Sequence, residues 1–130
     1  MEYLRGSVHK TPVITSQTTN RMTGKNVYMK LENHQKTGAF KFRGASYKIS
    51  KLNLAEIEAG VVTASAGNHA QGVALAAKKV GAKATIFMPE GTPSAKVVAT
   101  KGYGADVNLV GQSFQEAYTA SLEHKKLTGA

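Results

Sequence analysis

From Lys41 onward the apolar positions change rhythm repeatedly, and capping or turn residues mark most of the changes. Ala45, Ile49 and Leu52 predict a helix from about Lys41 to Leu52. Asn53 with Glu56 three positions on has the spacing of a capping box and opens a short helical turn. "GVVTAS" is brief, β-branched and preceded by glycine, and reads as a buried strand. "NHAQGVALAAKKVG" then sets Ala70, Val73, Ala74, Ala77 and Val80 on one helical face, with Gly81 as C-cap. "ATIFMPEG" is the next strand, stopped by Pro89 and Gly91. Thr92 as N-cap and Pro93 at the first helical position predict a helix to about Lys101. "GYGAD" turns the chain into the strand "DVNLV", and Ser113 with Glu116 opens a last helix to about Lys126.

Strand and helix alternating three times predict an α/β fold, an open parallel sheet with helices on both faces. Ahead of it, "NVYMKLEN" alternates at Val27, Met29 and Leu31 and predicts a strand over Asn26 to Asn33. Pro12-Val13-Ile14 and the Ser/Thr/Gln cluster after them suit a short strand followed by a helix. Open parallel sheets bind ligands at the carboxyl ends of their strands, beside helix N-termini. "SAGNHA" lies at such a junction.

Composition narrows the classes. With 42% apolar and 19% charged residues the chain has the make-up of a soluble globular protein, and it contains no cysteine. The start has no signal-peptide core and no run approaches a membrane span, so a cytoplasmic protein without a membrane partner is expected. The net charge of +9 invites a nucleic-acid partner. Residues 1–50 carry nine Lys/Arg against Glu2 and Glu32, whereas residues 51–130 carry eight lysines against six acids. The first set is scattered, as at Arg21, Lys25 and Lys30, with no finger, zipper or ribonucleoprotein motif, so no nucleic-acid partner is expected.

Two stretches can carry chemistry. In "TASAGNHAQG", Ser65, Gly67, Asn68 and His69 stand where a strand enters a helix. Unpaired N–H groups at the helix start would receive a carboxylate or a phosphate. An ordinary turn in which Asn68 caps its own helix is the alternative. His9, His34 and His124 share no ligand spacing with His69, so no metal site is expected. The loop is no Walker motif, and the chain holds no GxGxxG fingerprint. In "KTGAFKFRGA", Lys41 sits between Phe40 and Phe42 near a helix start. Partial desolvation and the positive helix end would favour its neutral amine, the form that Schiff-base chemistry requires. A snorkelling surface lysine is the other reading.

"ENHQKTGAFKFRGA", "SAGNHAQGVA" and "MPEGTPSAKVVATKGYGADV" together resemble the pyridoxal-phosphate enzymes of fold type II, and among them the threonine/serine dehydratases, or threonine ammonia-lyases. The family motif is Ser or Ala, Phe, Lys, a variable residue, Arg, Gly, Ala, matched by Ala39 to Ala45. The resemblance implies pyridoxal 5'-phosphate as cofactor, with Lys41 as Schiff-base lysine and base, and Phe40 and Asn68 beside the cofactor. It implies that Ser65, Ala66, Gly67, Asn68 and His69 hold the substrate carboxylate. The substrate would be L-threonine, giving 2-oxobutanoate and ammonia, or L-serine, giving pyruvate and ammonia. The alternative is a serine racemase or another fold type II enzyme; related serine racemases commonly carry a serine where this chain has Ala66, and without a base on that face one-sided elimination is expected. The resemblance further implies residues 1–43 as the first piece of the large domain and 44–130 as a small domain lacking its last strand. A glycine-rich phosphate cradle is missing from the chain. An N-terminal fragment is therefore expected, inactive alone, of a parent that forms a homo-oligomer, dimer or tetramer.

Overall fold

The computed structural model describes residues 4–130, so Glu2 of the charge balance lies outside the described residues. Strand β1 (Val13–Thr15), helix α1 (Gln17–Thr23) and strand β2 (Tyr28–Lys30) come first. Ser16 caps α1 by accepting from the Thr19 N–H, and Gly24 ends it at φ 67°. β1 and β2 pair antiparallel, Ile14 opposite Met29. The strand expected over residues 26–33 is thus only three residues long. The Leu31 N–H still donates to the Pro12 carbonyl at 3.0 Å, but residues Glu32–His34 already wind into a 3-10 turn.

The second unit alternates as the pattern predicts. It comprises α2 (Lys41–Ile49), α3 (Leu54–Ala59), β3 (Val61–Ala64), α4 (Asn68–Val80), β4 (Ala84–Met88), α5 (Ser94–Gly102), β5 (Asp106–Leu109) and α6 (Phe114–Thr128). The strands form a parallel sheet in the order β3-β4-β5, with Thr63 opposite Ile86 and Ile86 opposite Val107. Successive side chains of a strand point to opposite faces. Accordingly Ala84, Ile86 and Met88 enter the core shared with α2 and α4, while Phe87 meets His124 of α6 with ring centres 5.5 Å apart. Helices therefore cover both faces. Both expected capping boxes form, at Asn53/Glu56 and at Ser113/Glu116.

Four expectations need correction. α2 stops at Ile49 rather than Leu52, and the Leu52 N–H closes a tighter turn onto the Ile49 carbonyl at 3.2 Å. β3 is half-buried along its whole length instead of buried, because among the described residues it is an edge strand with no neighbour on its outer side. β4, the central strand, is the one buried throughout. Pro93 is the cap rather than the first residue of α5, since its ψ of 132° is extended. Thr92 is buried without capping, and its Oγ1 has no partner among the described residues.

The tightest junction is between α2 and α4. Phe42, Ala45 and Ile49 of α2 pack with Ala70, Val73, Ala74 and Ala77 of α4. Phe42 is fully buried, and burying a ring of that size contributes roughly 2–3 kcal/mol. The small residues of α4 let the two backbones come close. Among the described residues no helix is long and apolar enough to cross a membrane.

Candidate functional site

Lys41 is the first residue of α2, and the loop before it is held firmly. Gln35, 3% exposed, accepts from the His9 and Lys36 N–H groups at 2.8 and 3.0 Å. It also donates to the His9 carbonyl at 2.9 Å. Thr37 then takes a φ of 61°, unusual for a β-branched residue, and its buried Oγ1 lacks a partner among the described residues. Gly38 follows at φ 67°, and the reversal delivers Ala39, Phe40 and Lys41 to the helix start. Two residues beyond Lys41, Arg43 grips Glu32 with two hydrogen bonds of 2.7 Å, from Nε to Oε2 and from Nη2 to Oε1. Thr11 donates to the same carboxylate at 2.6 Å, and Arg43 Nη2 reaches the His9 carbonyl at 3.1 Å. The hydrogen bond from Arg43 lowers the Glu32 carboxyl to about 2, against an opposing but smaller cost of burial, with Thr11 assisting.

The side chain of Lys41 departs from expectation. The residue is exposed, and its Nζ lies 5.4 Å from the centre of the Phe40 ring. Phe40 is 59% exposed, whereas Phe42 is turned wholly into the core. Two rings do not enclose the amine, so the expected desolvation by both is absent. Phe42, Ala45 and Ile49 are the buried residues of α2, whereas Lys41, at the first position of the helix and at the margin of that face, stays exposed.

The second stretch lies where β3 runs into α4. The Ser65 N–H donates to the Phe87 carbonyl at 3.0 Å, tying the turn to the central strand. Ser65 Oγ accepts from the Gly67 N–H at 3.3 Å and keeps its own proton to donate. Asn68 does not cap α4, as the alternative reading required: the cap position is Gly67, which offers no side chain. The N–H groups of Asn68, His69 and Ala70 therefore open the helix ahead of the first intrahelical bond, from Gln71 to Gly67 at 3.5 Å. Ser65, Ala66 and Gly67 are half-buried, Asn68 and His69 exposed, and a side chain on Gly67 would touch nothing. Such a turn, at the positive end of a 13-residue helix, can receive an anion.

The two stretches converge where α2 meets α4. His69 is held below the usual histidine range first by partial desolvation and then by the positive charge of Lys41. His69 also borders a groove of about 260 Å³ between α2 and β3, lined by Ala45, Ile49, Val62 and Val73 among others. Larger hollows of 640 and 620 Å³ lie beside Leu4–Lys10 and beside Lys83 and His124, and neither contains Lys41 or the turn. Among the described residues no cluster of three or more His, Cys, Asp or Glu could hold a metal. The supporting set around Lys41, namely Glu32, Gln35, Arg43 and Gly72, carried no role in the sequence reading. Gly72 left one signal, a poor helix former inside a helical pattern, and Arg43 stood only as a position of the motif. Nothing local marks Glu32 as the partner of Arg43 eleven residues away.

The chain is similar to several known proteins. It is 50% identical over 127 residues to an L-threonine ammonia-lyase of Thermotoga maritima, covering 98% of this chain and 32% of that protein. It is 56% identical over 123 residues to the catabolic L-threonine dehydratase TdcB of Staphylococcus aureus, covering 94% of this chain and 36% of that one. Among solved structures, maize serine racemase superposes with a TM-score of 0.95 at 41% identity, over 99% of this chain and 39% of that one. The processed form of threonine deaminase isoform 2 from Solanum lycopersicum gives 0.90 at 42% identity, over 94% of this chain and 34% of that one. The chain thus spans about a third of the length of these relatives. The family profile described as "Pyridoxal-phosphate dependent enzyme" matches residues 4–129, and this chain belongs to that family.

Proposed function

We propose that the whole protein is a pyridoxal-phosphate-dependent ammonia-lyase that converts L-threonine to 2-oxobutanoate and ammonia, and L-serine to pyruvate and ammonia. The observation that carries the reading is the seating of Lys41 against α4, the helix that the Ser65–His69 turn opens: a Cβ on Gly72 would stand 3.3 Å from the Lys41 carbonyl carbon. The relatives at 50 and 56% identity support the choice of substrate. The residues present fit the cofactor on the lysine side: an exposed amine, an adjacent exposed ring, and an anion-receiving turn open at Gly67. No glycine-rich run that could cradle its phosphate occurs in the chain.

In this reading Lys41 would hold the cofactor through Nζ, and its free amine would accept the proton from the substrate Cα. The N–H groups at the start of α4, with the hydroxyl of Ser65 and the side chain of Asn68, orient the substrate carboxylate. Asn68 and Phe40 would also help to hold the cofactor. The bound cofactor supplies the electron sink that makes removal of the α-proton feasible. Loss of the β-hydroxyl removes one water, and hydrolysis of the resulting enamine returns it, releasing ammonia and the keto acid. Ala66 offers no group to return a proton from the opposite face, which directs the reaction toward elimination.

The same reading divides the chain into residues 1–43 of a large domain and 44–130 of a small domain that lacks a strand. That boundary falls in the first turn of α2, and the open outer side of β3 leaves room for another strand. The whole protein is cytoplasmic and homo-oligomeric, in keeping with exposed apolar residues such as Ile14, Met22 and Tyr28. The second reading is a serine racemase, favoured by the TM-score of 0.95 to the maize enzyme.

The test is an assay of the full-length protein with L-threonine and L-serine, measuring keto acid and D-serine together. Keto acid should dominate; D-serine as the main product would replace the first reading by the second. In Lys41→Ala, the absorbance of lysine-bound cofactor should vanish and keto-acid formation should fall at least about a thousandfold. Persistence of that absorbance would remove the role assigned to Lys41.

A further inference from the structure

We propose that Gly72 is a positioning residue for Lys41, and that the absence of a side chain on it sets where the reactive amine stands. The inference rests on the reading of Lys41 given above. Gly72 lies in the interior of α4, where glycine is a poor helix former. A Cβ built on it would stand 3.2 Å from the Phe42 nitrogen and 3.3 Å from both the Lys41 carbonyl carbon and the Phe42 Cα. All three are main-chain atoms, so none can swing aside as the end of a side chain would. The backbone of Lys41 and Phe42 is seated directly on the backbone of α4.

Two features make that seat functional as well as tight. Gly72 is four residues from Asn68, so both lie on the same face of α4, one turn apart. The distance from Lys41 to the anion-receiving turn is thereby set through one rigid helix. Phe42 is fully buried and Val73 is 7% exposed, so the core on the inner side cannot yield easily. A methyl group on residue 72 would be accommodated by moving the first turn of α2 outward by a few tenths of an ångström. Lys41, exposed and at the end of the helix, would move with it.

The experiment uses the full-length protein as wild type, Gly72→Ala and Gly102→Ala. Gly102 is a helical glycine whose added Cβ would meet nothing within 4 Å. Cofactor-free protein is mixed with pyridoxal phosphate, quenched with borohydride at intervals, and the modified lysine identified and quantified by peptide mass spectrometry. Attachment joins Nζ to the aldehyde carbon with loss of one water, and hydride from borohydride makes it permanent.

Gly72→Ala should attach cofactor to Lys41 about tenfold more slowly, because displacements well below 1 Å already cost reactivity of that order. Its kcat for L-threonine should fall similarly while KM changes less than about threefold, since the carboxylate turn itself is not disturbed. Circular dichroism and the melting temperature without cofactor should stay within about 5 °C of wild type. Gly102→Ala should match wild type throughout. Attachment at the wild-type rate in Gly72→Ala would overturn the proposal. Loss of the folded spectrum would also overturn it, by making Gly72 a requirement of folding alone. Lys41→Ala, run in parallel, separates the two levels. If the adduct then appears unchanged on another lysine, the assignment of Lys41 fails, and the proposal with it.

Discussion

Replacing Glu32 by glutamine tests the clamp that anchors the start of α2. The carboxylate accepts two hydrogen bonds of 2.7 Å from Arg43 and one of 2.6 Å from Thr11. Its side chain is 20% exposed and that of Arg43 28%, so solvent screens the pair only in part. The carboxyl moves from an ordinary value of 4.5 to about 2. At about 1.4 kcal/mol per tenfold change in proton affinity, this corresponds to about 3 kcal/mol of stability at neutral pH. The sign follows from a folded-state value below the unfolded one. The contribution is complete above about pH 5 and is lost as the pH falls from there toward 2. Near pH 3 about 1 kcal/mol should remain.

Glu32→Gln keeps the shape and the bond from Thr11 but removes the charge that Arg43 is paired with. Urea unfolding of the full-length protein, wild type against Glu32→Gln, should therefore show a gap of about 3 kcal/mol at pH 7 that narrows to about 1 kcal/mol at pH 3. A gap of the same size at both pH values would refute the argument, because a difference unrelated to ionisation of Glu32 does not titrate. A gap near zero at pH 7 would refute it as well, by placing the pair among ion pairs that contribute nothing.

Two further outcomes are expected. His69 should titrate below the usual histidine range when followed by NMR, and Lys41→Met should bring its midpoint upward, because the Lys41 charge is one of the two causes of the lowering. An unchanged midpoint in that variant would separate the two stretches in space. Ala66→Ser introduces a hydroxyl at that turn of the proposed site, and more D-serine should form from L-serine than with wild type. Chiral chromatography of the products reads it, and unaltered product ratios would show that position 66 does not govern the outcome.

Much of the architecture is written in short-range pattern. Both capping boxes, the glycine C-cap at Gly81 and the rhythm of β4 and α4 depend on neighbours within a few residues, so their spacing suffices. The Ser65–His69 turn could be placed for a related reason, whereas Lys41, which follows a 3-10 turn, was singled out by the resemblance of its motif, its local surroundings leaving a snorkelling surface lysine open. Chemistry at a strand-to-helix junction needs particular residue types in particular order, and that order is visible in one dimension. Even the anion-receiving character of the turn follows from where the helix begins.

What lay beyond the chain's local grammar was everything set by partners distant in sequence. Phe42 and Phe40 look equivalent on either side of Lys41, yet packing on α4 buries one completely and leaves the other 59% exposed. β3 reads as an interior strand, but its exposure follows from its place at the edge of the sheet, which depends on strand order. Glu32 becomes the counterion of Arg43 only because the 3-10 turn and the start of α2 are brought side by side. The same holds for Gly72, where helix propensity argues against glycine and the reason for it is the backbone of residues 41 and 42 pressed against it. Local spacing picks out the candidate groups; the distance between them is set by how closely two helices pack, which no stretch of either helix contains.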